Sequence, residues 1–187
     1  MAIKTFTQAV LSADDLNTFS SKGETFIASA SVTAGQILNC FSATYENYKI
    51  VVSNFFATAD CYLWFQLGLS GSWSGGGYYQ GGAYQAYSTT TVTTYNNNNT
   101  LPYWQICAGC TTGTNFPNSA VVNVSRPFTA TNTCYNAQST LHLSSGIYAW
   151  HHMGQHAVAG SQNGFRWATT AGAVSSGTIT VYGVTQA

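Results

Sequence analysis

Short segments in which apolar and polar side chains alternate recur along this sequence and restrict the backbone to few structures. In YKIVVSNF (48–55), Ile50 and Val52 would share one side of an extended chain, and Lys49 and Ser53 the other. Successive side chains of a β-strand point to opposite faces, whereas a helix repeats every 3.6 residues. The period of two therefore predicts a strand with one buried face.

The segment CYLWFQLGL (61–69) alternates in the same way, with large side chains on both faces. One face carries Cys61, Leu63, Phe65 and Leu67, and the other carries Tyr62, Trp64 and Gln66. We predict that the first face belongs to the core. The second face is amphipathic, and aromatic residues are enriched at interfaces, so we predict that it contacts another copy of the chain.

Nine segments of this kind are separated by polar turns. They are residues 25–33, 48–55, 61–69, 83–95, 103–108, 119–128, 139–152, 164–169 and 177–184. The pattern predicts an all-β domain over residues 23–187, either an antiparallel sandwich or a barrel. Two segments rich in glycine or asparagine, 68–84 and 96–99, are predicted to be loops.

The N-terminal residues carry the clearest helix signal of the chain. Ser12 can cap a helix and Asp15 stands three residues later, which is the spacing of a capping box. Leu11 before the cap and Leu16 inside the first turns can form a hydrophobic staple. We therefore predict that residues 1–22 form an attachment arm with a short helix.

Charge is scarce, and this excludes several classes of partner. Five Lys and Arg and five Asp and Glu are scattered over 187 residues. Nucleic-acid binding needs clustered basic residues that neutralise phosphates, and none occur. There is also no apolar run long enough to span a membrane, and no N-terminal signal peptide is expected. We expect a protein made soluble in a cytoplasm that binds neither nucleic acid nor membrane.

Two motifs resemble metal or redox sites, yet neither has the required partners. On a strand His151 and His152 would point to opposite faces, and His156 would lie about 13 Å from His152. We predict loop or interface imidazoles without a metal. For Cys107 and Cys110, a turn with two free thiols is expected, and a disulfide formed in an oxidising medium is the alternative. No catalytic residues and no cofactor are expected.

Aromatic residues beside glycines are the one positive signal for binding. Such rings could stack on sugars or pack against a partner chain, although half of them could equally be core. The candidates are Trp64, Trp73, Tyr78, Tyr79, Tyr84 and Tyr87.

Three segments resemble a known family. TFTQAVLSADDLNTF (5–19) resembles the N-terminus of many tailed-phage fibre and virion proteins. FSATYENYKIVVSNF (41–55) and GTITVYGV (177–184) resemble inner and last strands of small jelly-roll phage proteins, including those of cyanophages. The matching residues are Leu11, Leu16 and Asn17; Tyr45, Asn47, Tyr48 and Ile50; and Gly177, Thr178, Ile179, Val181, Tyr182 and Gly183.

The resemblance implies a jelly-roll-like antiparallel β-sandwich that is not an enzyme and is often a homotrimer. It implies a structural protein on the virion surface, with Leu11, Ser12, Asp15, Leu16 and Asn17 in the arm that attaches it to other virion proteins. We expect a tail fibre or receptor-binding component, which could bind a host surface glycan. The alternatives are a capsid decoration protein and a lectin-like carbohydrate-binding module. A depolymerase or zinc hydrolase is the least favoured class.

Overall fold

The computed structural model describes residues 23–108 and 117–185, which form two antiparallel β-sheets packed as a sandwich. Within these two ranges there is no α-helix, and a single turn of 3-10 helix, Val32–Ala34, connects the first two strands. The prediction of an all-β antiparallel sandwich is therefore confirmed. The predicted arm and helix of residues 1–22 lie outside the described residues.

Thirteen strands make up the two sheets in the described ranges. They are β1 Glu24–Ser31, β2 Gln36–Ile37, β3 Asn47–Ala57, β4 Tyr62–Leu69, β5 Ser72–Trp73, β6 Tyr78–Ala86, β7 Val92–Asn98, β8 Trp104–Ala108, β9 Asn118–Ser125, β10 Thr133–Leu143, β11 Gly146–His156, β12 Gly164–Thr169 and β13 Val174–Val184. The large sheet has the order β1-β13-β3-β9-β10-β11-β6-β7. The small sheet has the order β2-β12-β4-β5, and β8 also pairs with β4.

The core lies between the sheets and follows the period of two. Ile50 and Val52 of β3 are buried, as are Leu63, Phe65 and Leu67 of β4, so the face predicted to be core is core. The buried side chains are mostly aliphatic and aromatic, which makes burial of apolar surface the main stabilising contribution.

The opposite face of β4 is not uniformly exposed. Gln66 is buried. Its amide nitrogen donates to the Ser74 carbonyl at 2.6 Å, and its carbonyl accepts from Arg166 Nε at 2.6 Å. The remaining two side chains of that face, Tyr62 and Trp64, are partly exposed. A buried amide is tolerated here because both of its polar atoms are hydrogen-bonded.

Two segments predicted as single strands are hairpins instead. Residues 83–95 contain the end of β6 and the start of β7, and residues 139–152 contain parts of β10 and β11. The second reversal takes two residues, Ser144 and Ser145, followed by Gly146 at a φ of 140°. The buried positions change phase at each reversal, from even to odd residue numbers between β6 and β7 and from odd to even between β10 and β11, and the predictions of single strands missed this change.

Two predicted loops are largely strand. The glycine-rich segment 68–84 contains β5 and most of β6, and the asparagine run 96–99 completes β7. Glycine and asparagine have low strand propensity, but pairing with neighbouring strands overrides it here. Each residue of β6 from Tyr78 to Ala86 is in register with β11, and most of them also with β7.

Four strands of the large sheet, β10, β11, β6 and β7, follow β9 in its strand order, and we call them the extension. Its inner face contacts β8 directly. The Gln80 carboxamide accepts from the Gln105 backbone N–H at 2.8 Å, and the rings of Trp104 and Tyr135 stack with centroids 4.3 Å apart. These contacts fix the position of the extension against the sandwich.

Replacing either of two neighbouring glycines in β6 by alanine should change the stability by very different amounts. A Cβ at Gly82 would overlap the His151 carbonyl oxygen and approach His152 Cα and Tyr95 Cε1 at 3.1 Å each. Two of these atoms are backbone and cannot rotate away. Gly82→Ala should therefore lower the free energy of unfolding by about 3 kcal/mol, at the upper end for an overpacked core. Urea unfolding followed by circular dichroism measures it.

Gly81→Ala is the matched control. The nearest heavy atom to a Cβ there is the Tyr95 carbonyl oxygen at 3.6 Å, an ordinary contact. The change should alter stability by less than about 0.5 kcal/mol. Equal effects of the two substitutions would contradict the register of β6 between β7 and β11.

Candidate functional site

The outer face of the extension carries a large concave surface. Three adjoining depressions have volumes of about 560, 990 and 390 Å³. The first shares Gln138 and His151 with the second, and Gln85, Thr140 and Ala149 with the third. The three therefore form one continuous trough, which we call the outer trough.

Small side chains on the central strands explain why this face is concave. Gly81 and Ala83 of β6 and Ala149 of β11 occupy the middle of the sheet, where long side chains would fill the space. Longer side chains on the flanking strands, such as Val92 of β7 and Gln138 of β10, form the two sides.

The chemistry of the outer trough is polar and uncharged. Its lining residues, all in the described part of the chain, include no Asp, Glu, Lys or Arg. Side-chain amides, hydroxyls and one imidazole supply the hydrogen-bonding groups: Gln85, Asn96, Asn98, Ser119, Asn136, Gln138, Thr140, His151 and Gln155. Such a surface suits a neutral ligand rich in hydroxyl groups, because amides both donate and accept hydrogen bonds.

His151 lies at the centre of the outer trough. Strand register places it beside Gln138 of β10 and Ala83 of β6, and its ring is exposed. The exposed Cys134 lines the same trough further along β10. The sequence motif around the histidines did not indicate this surface, because the trough combines five strands that are far apart in the chain.

Two of the aromatic residues predicted to bind ligands lie at the trough. Tyr79 lines one end and Tyr87, which is 88% exposed, lines the other. The eight residue steps from one to the other span about 26 Å of strand. A ligand that contacted both rings would have to be an extended chain.

Tyr78 is a correction, because the structure buries it completely. Its ring packs 5.5 Å from Trp104 and 4.5 Å from His156, and its hydroxyl oxygen accepts from the Leu67 N–H at 2.9 Å. Its neighbour Tyr79 points outward because adjacent residues of a strand face opposite ways. Tyr78 is therefore core rather than a ligand-binding ring.

Trp64 and Trp73 lie on the outer face of the small sheet, away from the outer trough. The Arg166 guanidinium lies between them, 5.9 Å from one ring centroid and 5.6 Å from the other. Tyr103 stacks on Trp64 at 4.9 Å, and the Trp73 ring lies directly against Gly68. Both rings are partly exposed, and each already has partners within the chain, so that they form a packed row on this sheet. The sixth candidate, Tyr84, lies on the inner face of the extension.

The three clustered histidines lie on strand β11 and not in a loop, which corrects the prediction of loop imidazoles. His151 faces out, whereas His152 and His156 are fully buried on the inner face. His156 Nε2 bonds Ser74 Oγ at 2.8 Å, and His152 Nδ1 forms a short hydrogen bond with the Tyr95 hydroxyl. The ranges 23–108 and 117–185 contain no group of three His, Cys, Asp or Glu side chains that could hold a metal ion.

Of the four described cysteines, Cys40, Cys61 and Cys107 are buried and Cys134 is exposed. Cys107 lies in strand β8 and not in a turn, whereas Cys110 is outside the described residues. Burial raises the pKa of the Cys107 thiol, and it raises that of Cys40 to about 12. The thiolate is the reactive form, so neither of these two thiols suits nucleophilic chemistry at neutral pH.

The arrangement defines a class: an all-β protein of two antiparallel sheets, one of which carries a concave surface without charged side chains. Comparison with protein-family models, curated proteins and solved structures found no match to the chain. In the part of the chain that the structure describes, no helix is long and apolar enough to cross a membrane.

Proposed function

We propose that this protein is a non-enzymatic structural component of a tailed-phage virion, most favourably a tail fibre or receptor-binding part on the virion surface. In this proposal the outer trough binds a neutral host glycan, residues 1–22 attach the protein to other virion proteins, and the working unit is a homotrimer. The observation that carries the binding role is the continuous uncharged trough, which has amide and hydroxyl side chains along its length.

We also propose that the sandwich is a jelly roll. The supporting observation is the strand order: β1-β13-β3-β9 in one sheet and β2-β12-β4 with β8 in the other. Following these eight strands along the chain, six of seven connections cross between the sheets. Only β4 to β8 stays within one sheet. This alternation is what two nested Greek keys produce.

On this assignment, the outer trough is an addition to the jelly roll. Four of its five strands, β6, β7, β10 and β11, lie in two insertions, one between β4 and β8 and the other between β9 and β12. Binding sites are commonly added to a shared scaffold in this way. The outer face of these strands takes no part in the packing between the two sheets, and this supports a role in recognition.

Binding of the isolated protein to purified host surface polysaccharide tests the glycan proposal. Ala149 lies in the trough with Gln85 on one side and Thr140 on the other, and its side chain is exposed. Ala149→Phe should fill the trough and weaken binding at least tenfold while leaving the fold intact. Because the trough is uncharged, binding should change little between low and physiological salt.

Thr178→Phe is the matched control. Thr178 is exposed on the outer face of the same sheet, on β13, and it does not line the trough. The Thr178→Phe variant should bind the polysaccharide as tightly as the unmodified protein does. Equal binding by both variants, or no binding of any host polysaccharide, would remove the glycan from the proposal and favour a capsid decoration protein.

Mass spectrometry and electron microscopy of the source particle test the virion proposal itself. They should find the protein on the particle in a three-fold arrangement, and its position separates tail from capsid. Deleting residues 1–22 should abolish incorporation while the β signal in circular dichroism persists. A glycan-binding protein absent from the particle would instead be a lectin-like module.

A further inference from the structure

A small pocket lined by aromatic rings lies on the inner face of the extension, on the opposite side of the large sheet from the outer trough. Its volume is about 140 Å³. Six side chains line it: Tyr62, Tyr84, Leu141, Leu143, Tyr148 and Trp150. We call it the aromatic pocket, and it forms where β4 meets β10, β11 and β6.

The four rings of the aromatic pocket are inclined to one another at different angles. The Tyr84 ring is inclined 82° to Trp150 and 69° to Tyr148, with centroids 6.0 Å apart in both pairs. Tyr62 lies 5.8 Å from Trp150 at 37°. Rings that line a pocket from several directions form a cage rather than a flat stacking platform.

One polar group beside the cage, a carboxylate, indicates what it would hold. Asp60 is exposed next to the pocket, where its carboxylate accepts from the backbone N–H of Ser144, the residue after Leu143. It forms no ion pair with a described residue. Trp150 is 6% exposed, and its indole N–H has no hydrogen-bond partner among the described residues; as a donor it does not itself attract a cation.

We propose that the aromatic pocket binds a quaternary or fully methylated ammonium group, of the kind carried by choline. The negative faces of aromatic rings attract a cation, and the attraction grows when the cation is desolvated among several rings. A methylated ammonium has no N–H groups that need partners, so that it loses little by leaving water. The Asp60 carboxylate, which accepts hydrogen bonds from Ser144 and forms no ion pair with a described residue, adds negative charge nearby. This proposal is independent of the proposed function.

Titration with choline tests the proposal, and the Trp150 indole N–H resonance in nuclear magnetic resonance spectra reports on the site. The comparison ligand is 3,3-dimethylbutan-1-ol, which has the shape of choline without its charge. Choline should give a saturable shift, and the neutral alcohol should bind at least fivefold more weakly. An alcohol that binds as tightly as choline would show a merely apolar pocket and overturn the proposal.

Substitutions inside and outside the aromatic pocket test whether choline binds there. Tyr62 is 40% exposed, so that Tyr62→Leu should leave the fold intact and weaken choline binding about three- to tenfold, the range for loss of one ring. Asp60→Asn should weaken it less. Tyr87→Leu, on the other face of the sheet, should have no effect. Absence of a saturable choline shift up to about 10 mM, or an unchanged affinity in Tyr62→Leu, would refute the site.

Discussion

Acid should destabilise this protein mainly through His152: below about pH 6.5 the free energy of unfolding should fall by about 1.4 kcal/mol for each pH unit. Burial lowers the pKa of the folded His152 imidazole to about 3, and the nearby His151 contributes to the same shift. The unfolded chain has an ordinary histidine pKa near 6.5 and binds the proton first. The stability is therefore fully present above about pH 6.5 and is lost as the pH falls toward 3.

The loss should reach about 4 to 5 kcal/mol at the lower end of this window, a large part of the stability of a typical domain. Burial also lowers the pKa of His156, which adds to the effect in the same direction. Carboxylates usually dominate acid unfolding, but the whole chain has only five Asp and Glu. The buried imidazoles should therefore account for most of the pH dependence.

Urea unfolding at several pH values between about 7.5 and 4.5 measures this slope. His152→Asn keeps a polar atom near the Tyr95 hydroxyl but cannot be protonated in this range. We expect it to be less stable than the unmodified protein at neutral pH and to depend less on pH. His151→Gln, at an exposed position, should retain most of the slope. An unchanged slope in His152→Asn, or titration of folded His152 near pH 6.5, would contradict the prediction.

The strands of the central sandwich could be predicted because their burial follows directly from the sequence. In β3 the buried Ile50 and Val52 alternate with partly exposed neighbours, and in β4 the predicted core face is buried throughout. A strand with one face on the core has to alternate in this way, so local sequence is sufficient.

The extension could not be predicted in the same way, because its structure depends on contacts between distant segments. Gly82 belongs to a strand only because His151 and Tyr95 approach it from both neighbouring strands. Tyr78 and Tyr79 look alike in the sequence, yet one is core and the other lines the outer trough. Which is which depends on the register of β6 against β11.

For the histidines, the sequence predicts the direction of the side chains but not their burial. The spacing predicts that His151 and His152 would face opposite sides of a strand, and they do. It does not predict that His152 is fully buried, because the covering residues Tyr95 and Trp150 come from β7 and from another position of β11. The burial of this imidazole can be recognised only once the structure of the inner face of the extension is known.

Phe65→Ala should be among the most damaging single substitutions in the core, lowering the free energy of unfolding by about 3–5 kcal/mol. Phe65 is 1% exposed and packs against the Phe165 ring at 4.9 Å. Its strand is held between β12 and β8, where Trp167 and Trp104 are its paired residues. Truncation would leave a cavity that two paired strands cannot close. Urea unfolding of the variant gives the loss.

Trp64→Ala, one residue away on the opposite face, is the informative comparison. Trp64 stacks between Tyr103 and Arg166 on the outer face of the small sheet, where aromatic surface remains partly exposed. We expect a loss of about 1 kcal/mol in unfolding, the scale of one aromatic stack and one cation–π contact. If this face forms the interface of the proposed homotrimer, the same change should raise the dissociation constant more than tenfold in analytical ultracentrifugation.

The two neighbouring substitutions therefore separate folding from assembly. Phe65→Ala should shift the unfolding transition strongly, whereas Trp64→Ala should shift the association equilibrium at nearly unchanged stability. Tyr103 stacks on the Trp64 indole and the Arg166 guanidinium lies over the same ring, so a partner would have to contact the part of Trp64 that these two leave exposed. A stable monomer at micromolar concentration, or a trimer unaffected by Trp64→Ala, would show that this face is not the interface and that the Trp64–Arg166–Trp73 row only stabilises the small sheet.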